Sequence, residues 1–146
     1  MAVVVDASAI LALADASDPA HEQIAEWIDL IDEELVISPL SAARADELLR
    51  AAGGQQAAEA FAADLQAGAY LVRWWADAMV ESATISQDQH VDLVDASLIA
   101  VAARSRTNRI ATTRVTEWRR ARTTDGSDFE IVPARQRPRP RLLETA

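Results

Sequence analysis

Two aspartates stand where an enzyme built on a parallel sheet would keep its chemistry. Asp6 closes the apolar run AVVV and precedes the apolar stretch SAILAL, while Asp95 lies near the start of VDLVDASLIAVAARS, with Asp92 three residues earlier. At that spacing Asp92 and Asp95 share one face of a helix start. Val3, Val4 and Val5 show no polar alternation, the mark of a strand covered on both faces. Ligands of open parallel sheets sit beyond the carboxyl ends of the strands, so Asp6 points at the place where a site would be. Hard divalent cations such as Mg²⁺ take oxygen ligands and are commonly held by one or two carboxylates beside a phosphate. Asp6 and Asp95 fit that role. The competing reading makes Asp6 a cap or turn residue, since Asp is common at helix starts, and Ser8 reads as the N-cap of the first helix.

Other chemistries lack their residues. Gly53-Gly54 follows a helix instead of opening one, so no phosphate-cradling loop is present. The chain has no cysteine, which removes thiolate nucleophiles, thiolate zinc sites and disulfides and is compatible with a reducing cytosol. His21 and His90 have no spacing that would make a triad or a zinc site.

The elements that must position these carboxylates follow from the apolar pattern. Strands are expected over residues 2–5, 35–38, 70–74, 109–113 and 129–132, the third an edge strand because Arg73 interrupts it. Helices are expected from Ser8 and over residues 20–32, 40–52, 55–67, 76–85 and 91–105, and a short basic helix or turn over 115–122, with Gly53-Gly54 and Gly68 as stops and residues 86–90 as a polar loop. Alternating strands and helices with short connections imply a three-layer α/β domain with a mainly parallel five-stranded sheet. Trp27, Trp74, Trp75 and Trp118 read as core or interface residues, not as platforms for stacked bases, and His21 as an exposed first-turn residue.

With 146 residues, half of them hydrophobic, the chain supports one domain over residues 1–133. Residues 134–146, PARQRPRPRLLETA from Pro133 on, are rich in Arg and Pro and are expected to form a disordered tail. No segment approaches the roughly 18 apolar residues of a membrane span and no basic leader precedes the first strand, so a cytoplasmic location is expected. The net charge of −9 hides an asymmetry. Residues 1–103 carry three Arg against 18 Asp and Glu, a net of −15, whereas residues 104–146 carry 11 Arg against five acids, a net of +6. A basic end on an acidic body suits contacts with phosphates or an acidic partner.

Four stretches taken together resemble one family. VVVDASAILAL, VISPLSAARADELL, QDQHVDLVDASLIAVAARS and RIATTRVTEW followed by FEIVP are similar, in order and spacing, to PIN-domain proteins of the VapC toxin type, over about residues 2–133. The resemblance implies an α/β/α sandwich, a toxin-antitoxin setting with a VapB-like antitoxin, homodimers, and cleavage of RNA with Mg²⁺ or Mn²⁺. It also assigns positions. Asp6 and Asp95 match two of the family's acids, and Ser8 matches its site hydroxyl. Two further acids are replaced: Arg44 stands where a Glu follows the Ser-Pro pair, and Arg114 where an Asp follows the fourth strand.

The replacements change the electrostatics. Asp6 and Asp95 with Arg44 and Arg114 sum to zero charge, and an Arg fork matches carboxylate geometry bidentately. Both arginines are therefore expected to pair with Asp6 and Asp95 in the space a metal would use. Glu47, Asp92 and Glu117 are the candidate surrogate ligands, each also readable as a solvated helix residue. Two readings follow: a toxin-type, metal-dependent ribonuclease with a degraded acidic site, or an inactive pseudo-nuclease that binds RNA or an antitoxin. Another Mg²⁺-dependent phosphotransfer enzyme is disfavoured, because no second acid closely follows Asp6.

Overall fold

The computed structural model describes residues 1–133. The tail expected over residues 134–146 lies outside them. In chain order the elements are β1 (Ala2–Val5), α1 (Ala7–Ala14), α2 (His21–Leu30), β2 (Glu34–Ile37), α3 (Pro39–Gln66), β3 (Leu71–Val72), α4 (Ala78–Gln89), α5 (Leu93–Arg104), β4 (Arg109–Ala111), α6 (Val115–Arg120) and β5 (Glu130–Val132). The five strands form one wholly parallel sheet in the order β3-β2-β1-β4-β5.

β1 sits at the centre, and its side chains divide the core. Val3 and Val5 pack with Ile10, Ile24, Leu49 and Phe61 from α1, α2 and α3, whereas Val4 packs with Leu98, Ile99, Val101 and Trp118 from α5 and α6. Successive strand residues point to opposite faces, so a strand of valines must be roofed on both sides. That is the three-layer arrangement read from the sequence. The described helices include none long and apolar enough to cross a membrane.

Several boundaries differ from the expected ones, each for a local reason. Ser8 lies inside α1; the residue at the N-cap is Asp6, which makes no side-chain cap bond. The helices expected over 40–52 and 55–67 join in one run, α3, kinked at Gly54, whose φ of 69° and ψ of −161° suit only a residue without a Cβ. Ser38 starts α3 with a reciprocal capping box to Ser41. The polar stretch 86–89 continues α4, because no residue there breaks a helix, and the left-handed His90 ends it. β3 shrinks to two residues at the sheet edge, while Tyr70 turns inward and packs edge-on against Phe61. His21 is half-buried instead of exposed, its Nδ1 2.8 Å from the Ala12 carbonyl near the end of α1. Trp118 is buried edge-on against Phe129, as a core tryptophan should be.

Candidate acidic site

Asp6 leaves the carboxyl end of β1 with its backbone N–H bonded to the Ala111 carbonyl, so β1 and β4 end at the same level. Thr112 and Arg114 follow β4 directly. Asp95 enters from the first turn of α5, which packs on β1. The central strand, its neighbour and one helix start thus converge on the crevice, as the strand-end argument requires.

The Asp6 carboxylate is 2% exposed and receives four donors. The hydroxyls of Ser8 and Thr112 donate to Oδ2 at 2.8 and 2.7 Å, and Arg114 donates from Nε to Oδ2 at 3.0 Å and from Nη2 to Oδ1 at 3.2 Å. Arg114 also grips Asp95, with Nη1 3.2 Å from Oδ2 and Nη2 against Oδ1. All four carboxylate oxygens therefore carry a guanidinium hydrogen bond. Ser8 in turn accepts the Thr113 N–H at 3.0 Å, and Thr112 accepts that of Arg114 at 2.9 Å, which pins the segment carrying the guanidinium. The capping reading of Asp6 fails on this geometry, because its side chain is committed across the sheet.

Burial lowers the pKa of Arg114, but the bonds from Asp95 and Asp6 outweigh it and leave the guanidinium above its ordinary value, permanently charged. Burial raises the Asp95 carboxyl above the usual carboxylate range, an effect that Arg114 opposes without cancelling.

Arg44 does not join this cluster. It lies 3.5 Å from Asp92 Oδ2, both side chains partly exposed, because α3 packs against α5 and brings Arg44 to the cap of that helix. The expected four-residue neutral cluster is thus a three-residue cluster of charge −1 beside a separate, weak pair. Asp92 caps α5, accepting the Asp95 N–H at 2.8 Å. With one oxygen on the cap and the other toward Arg44, it behaves as a structural residue. Glu117 is exposed on α6 and lines a cleft of about 280 Å³ with Asp92, Asp95, His90 and Trp118. Glu47 is exposed on α3, and the side chains bonded to the two carboxylates among the described residues are those of Ser8, Thr112 and Arg114.

A divalent cation would need oxygens turned toward it and free of other cations. Among the described residues no group of three or more acids or histidines is arranged to hold one, and the guanidinium fills the space between the two aspartates. The donor set does not fit a metal. Thr112 is the functional neighbour that sequence reasoning passed over as a site residue; a hydroxyl at a strand end beside an acid was its only signal.

The profile of the PIN domain family matches residues 3–122. The chain belongs to the PIN-domain family. This PIN domain is similar to Ribonuclease VapC26 of Mycobacterium tuberculosis, 33% identical over 135 residues that cover 90% of this chain and all of the relative. In structure it resembles VapC20 of Mycobacterium tuberculosis, described as a Sarcin-Ricin loop cleaving toxin, with a TM-score of 0.68 at 22% identity over 74% of this chain and 86% of that one. The first match places the PIN domain among VapC-type toxins; the second agrees with the fold.

Proposed function

We propose that this VapC-type PIN domain binds its partners without cutting RNA, its acidic centre closed by its own Arg114. One observation supports the reading: a single guanidinium donates to every carboxylate oxygen of Asp6 and Asp95. Metal-assisted hydrolysis needs a cation that activates water and offsets charge on the phosphate. A side chain tethered to β4 by its own backbone offers neither a water ligand nor an open coordination position. What remains is binding: to a VapB-like antitoxin, to RNA and to a second copy as a homodimer, in the cytoplasm.

Calorimetric titration of the full chain with Mg²⁺ and Mn²⁺ to millimolar concentration, beside an RNA cleavage assay with each metal, tests the reading. No saturable metal binding and no metal-dependent cleavage are expected. The 33% identity to a ribonuclease favours a second reading, in which Asp6 and Asp95 ligate Mg²⁺ or Mn²⁺ as catalytic residues once Arg114 withdraws, helped by Glu47, Asp92 or Glu117. Tight metal binding by wild type, or cleavage abolished by Asp6→Ala, would establish that reading instead.

A further inference from the structure

Two cavities away from the acidic centre share a wall. One, of about 530 Å³, runs between α4 and α5 and is lined by Val80, Ile85, Ala100, Ala103 and Arg104. The other, of about 450 Å³, is polar and is lined by Arg106, Asn108, Thr123 and Ser127. Ala103 and Thr124 border both, so the two form one groove, apolar at one end and hydrogen-bonding at the other. Val80 is 68% exposed on its rim, a large apolar side chain with no covering partner in the fold.

The cations in and beside this groove are set in place and, among the described residues, make no ion pair. The Arg104 guanidinium lies 4.5 Å over the Trp75 ring, a cation–π contact that fixes its plane. Arg73 Nη1 reaches the Arg104 carbonyl at 3.4 Å and the Ser105 hydroxyl at 3.3 Å, which holds a second positive charge alongside. Arg106 follows with a left-handed φ of 55° in the turn that leads to β4. None of the ion pairs among the described residues involves Arg73, Arg104 or Arg106. Two acids also line the groove, Glu81 and Asp125. Asp125 is engaged locally, accepting from the Thr123 hydroxyl and the Ser127 N–H.

We propose that this groove is a nucleotide site, with the base against Val80, Ile85, Ala100 and Ala103 and the phosphate on Arg104 and Arg106. The small alanines of α5 leave room for a flat ring against the helix, and a guanidinium fork matches phosphate oxygens. Charge selects the same class of ligand. Arg73, Arg104 and Arg106 gather on this face, and among the described residues none of them has an ion-pair partner, so the local charge attracts an anion. The shared chemistry is a base joined to a phosphate, whether as a free nucleotide or as one residue of an RNA strand. The site lies apart from Asp6, Asp95 and Arg114 and does not depend on their role.

Amide NMR titrations of the full chain with AMP, with a single-stranded RNA decamer and with inorganic phosphate test the proposal. AMP and the decamer are both expected to shift Val80, Ile85, Ala103, Arg104 and Thr124, with phosphate alone at least tenfold weaker. Tighter binding of the decamer, weakened by salt, would mark a strand as the source; equal affinity for AMP would mark the free nucleotide. The double change Arg104→Glu with Arg106→Glu should weaken binding at least tenfold. Ala103→Phe, at an exposed position of α5, should do the same by filling the apolar end, and it decides the matter if the double variant misfolds. Arg50→Ala, an exposed change on α3, should leave the affinity unchanged. The proposal fails if neither nucleotide ligand shifts these amides, if phosphate binds as tightly as AMP, or if the same amides shift with protein concentration alone, which would show a second copy covering the groove.

Discussion

Arg114 holds Asp6 side-on, Nε to Oδ2 at 3.0 Å and Nη2 to Oδ1 at 3.2 Å, so two parallel bonds fix the plane of the guanidinium as well as its position. Charge-assisted pairs of this kind are roughly twice as strong as neutral hydrogen bonds, and removing one partner strands the other in a desolvated place.

Asp6→Ala should therefore lower stability by about 3 kcal/mol, the lower end of the range for a broken buried pair, since the Arg114 side chain keeps 31% of its exposure. Arg44→Ala, which removes only the partly exposed contact to Asp92, should cost less than about 0.5 kcal/mol. Chemical denaturation of both variants checks the contrast. Equal losses would mean that the Arg114 fork adds nothing beyond a surface pair.

Replacing the cation by an acid should open the centre. Arg114→Asp puts a third carboxylate beside Asp6 and Asp95, and because Arg44 sits on Asp92, that one change should suffice for Mn²⁺ binding measurable by calorimetry. Adding Arg44→Glu should tighten binding further. The metal-free variant should melt below wild type through mutual repulsion and recover as Mn²⁺ is added, since a ligand bound only to the folded state stabilises it. An Arg114→Asp protein that ignores Mn²⁺ would show that the centre has lost more than its acids.

Asp95 gives a pH signature. Burial raises its folded-state pKa above the ordinary 3.8, so the folded protein takes up this proton before the unfolded chain does. The contribution of Asp95 to stability is thus unfavourable at neutral pH and is relieved as pH falls through the folded value toward 3.8. In Arg114→Ala the opposing cation is gone and the midpoint should climb further. Carboxyl-carbon NMR titration reads both midpoints; a lower midpoint in the variant would refute the assignment.

A buried hydroxyl pair ties α3 to α5, Ser38 Oγ lying 2.7 Å from Ser97 Oγ. Ser38→Ala also loses the helix cap and should cost about 1 to 2 kcal/mol, more than Ser97→Ala. A double-mutant cycle should return a coupling of about 0.5 to 1 kcal/mol, and zero coupling would make the contact incidental.

The architecture was legible because valines without alternation demand a sheet roofed on both faces, and Asp6 and Asp95 were legible because both stand at the same end of that sheet. The identity of Arg114 as the closing residue rested on family register, and its contact with both aspartates agrees with it. Arg44 went astray since register places a residue on a helix but not the direction of a long, flexible side chain; the helix cap on α5 was nearer. Thr112 escaped notice as a partner of Asp6 because its hydrogen bond spans 106 residues, which no local pattern encodes. The extension of α4 through 89 went unread for the opposite reason: Ser, Gln and Asp in a row resemble a loop in composition, yet none of them forbids a helical backbone.

The two outer strands set limits on how this molecule can meet another. β3 contributes two residues and β5 three to the sheet, so neither margin offers a ladder long enough to template a strand from a neighbour. Among the described residues, margins this short disfavour recruitment by strand addition. The helices that roof both faces of the sheet then offer a companion side-chain shape in place of backbone pairing.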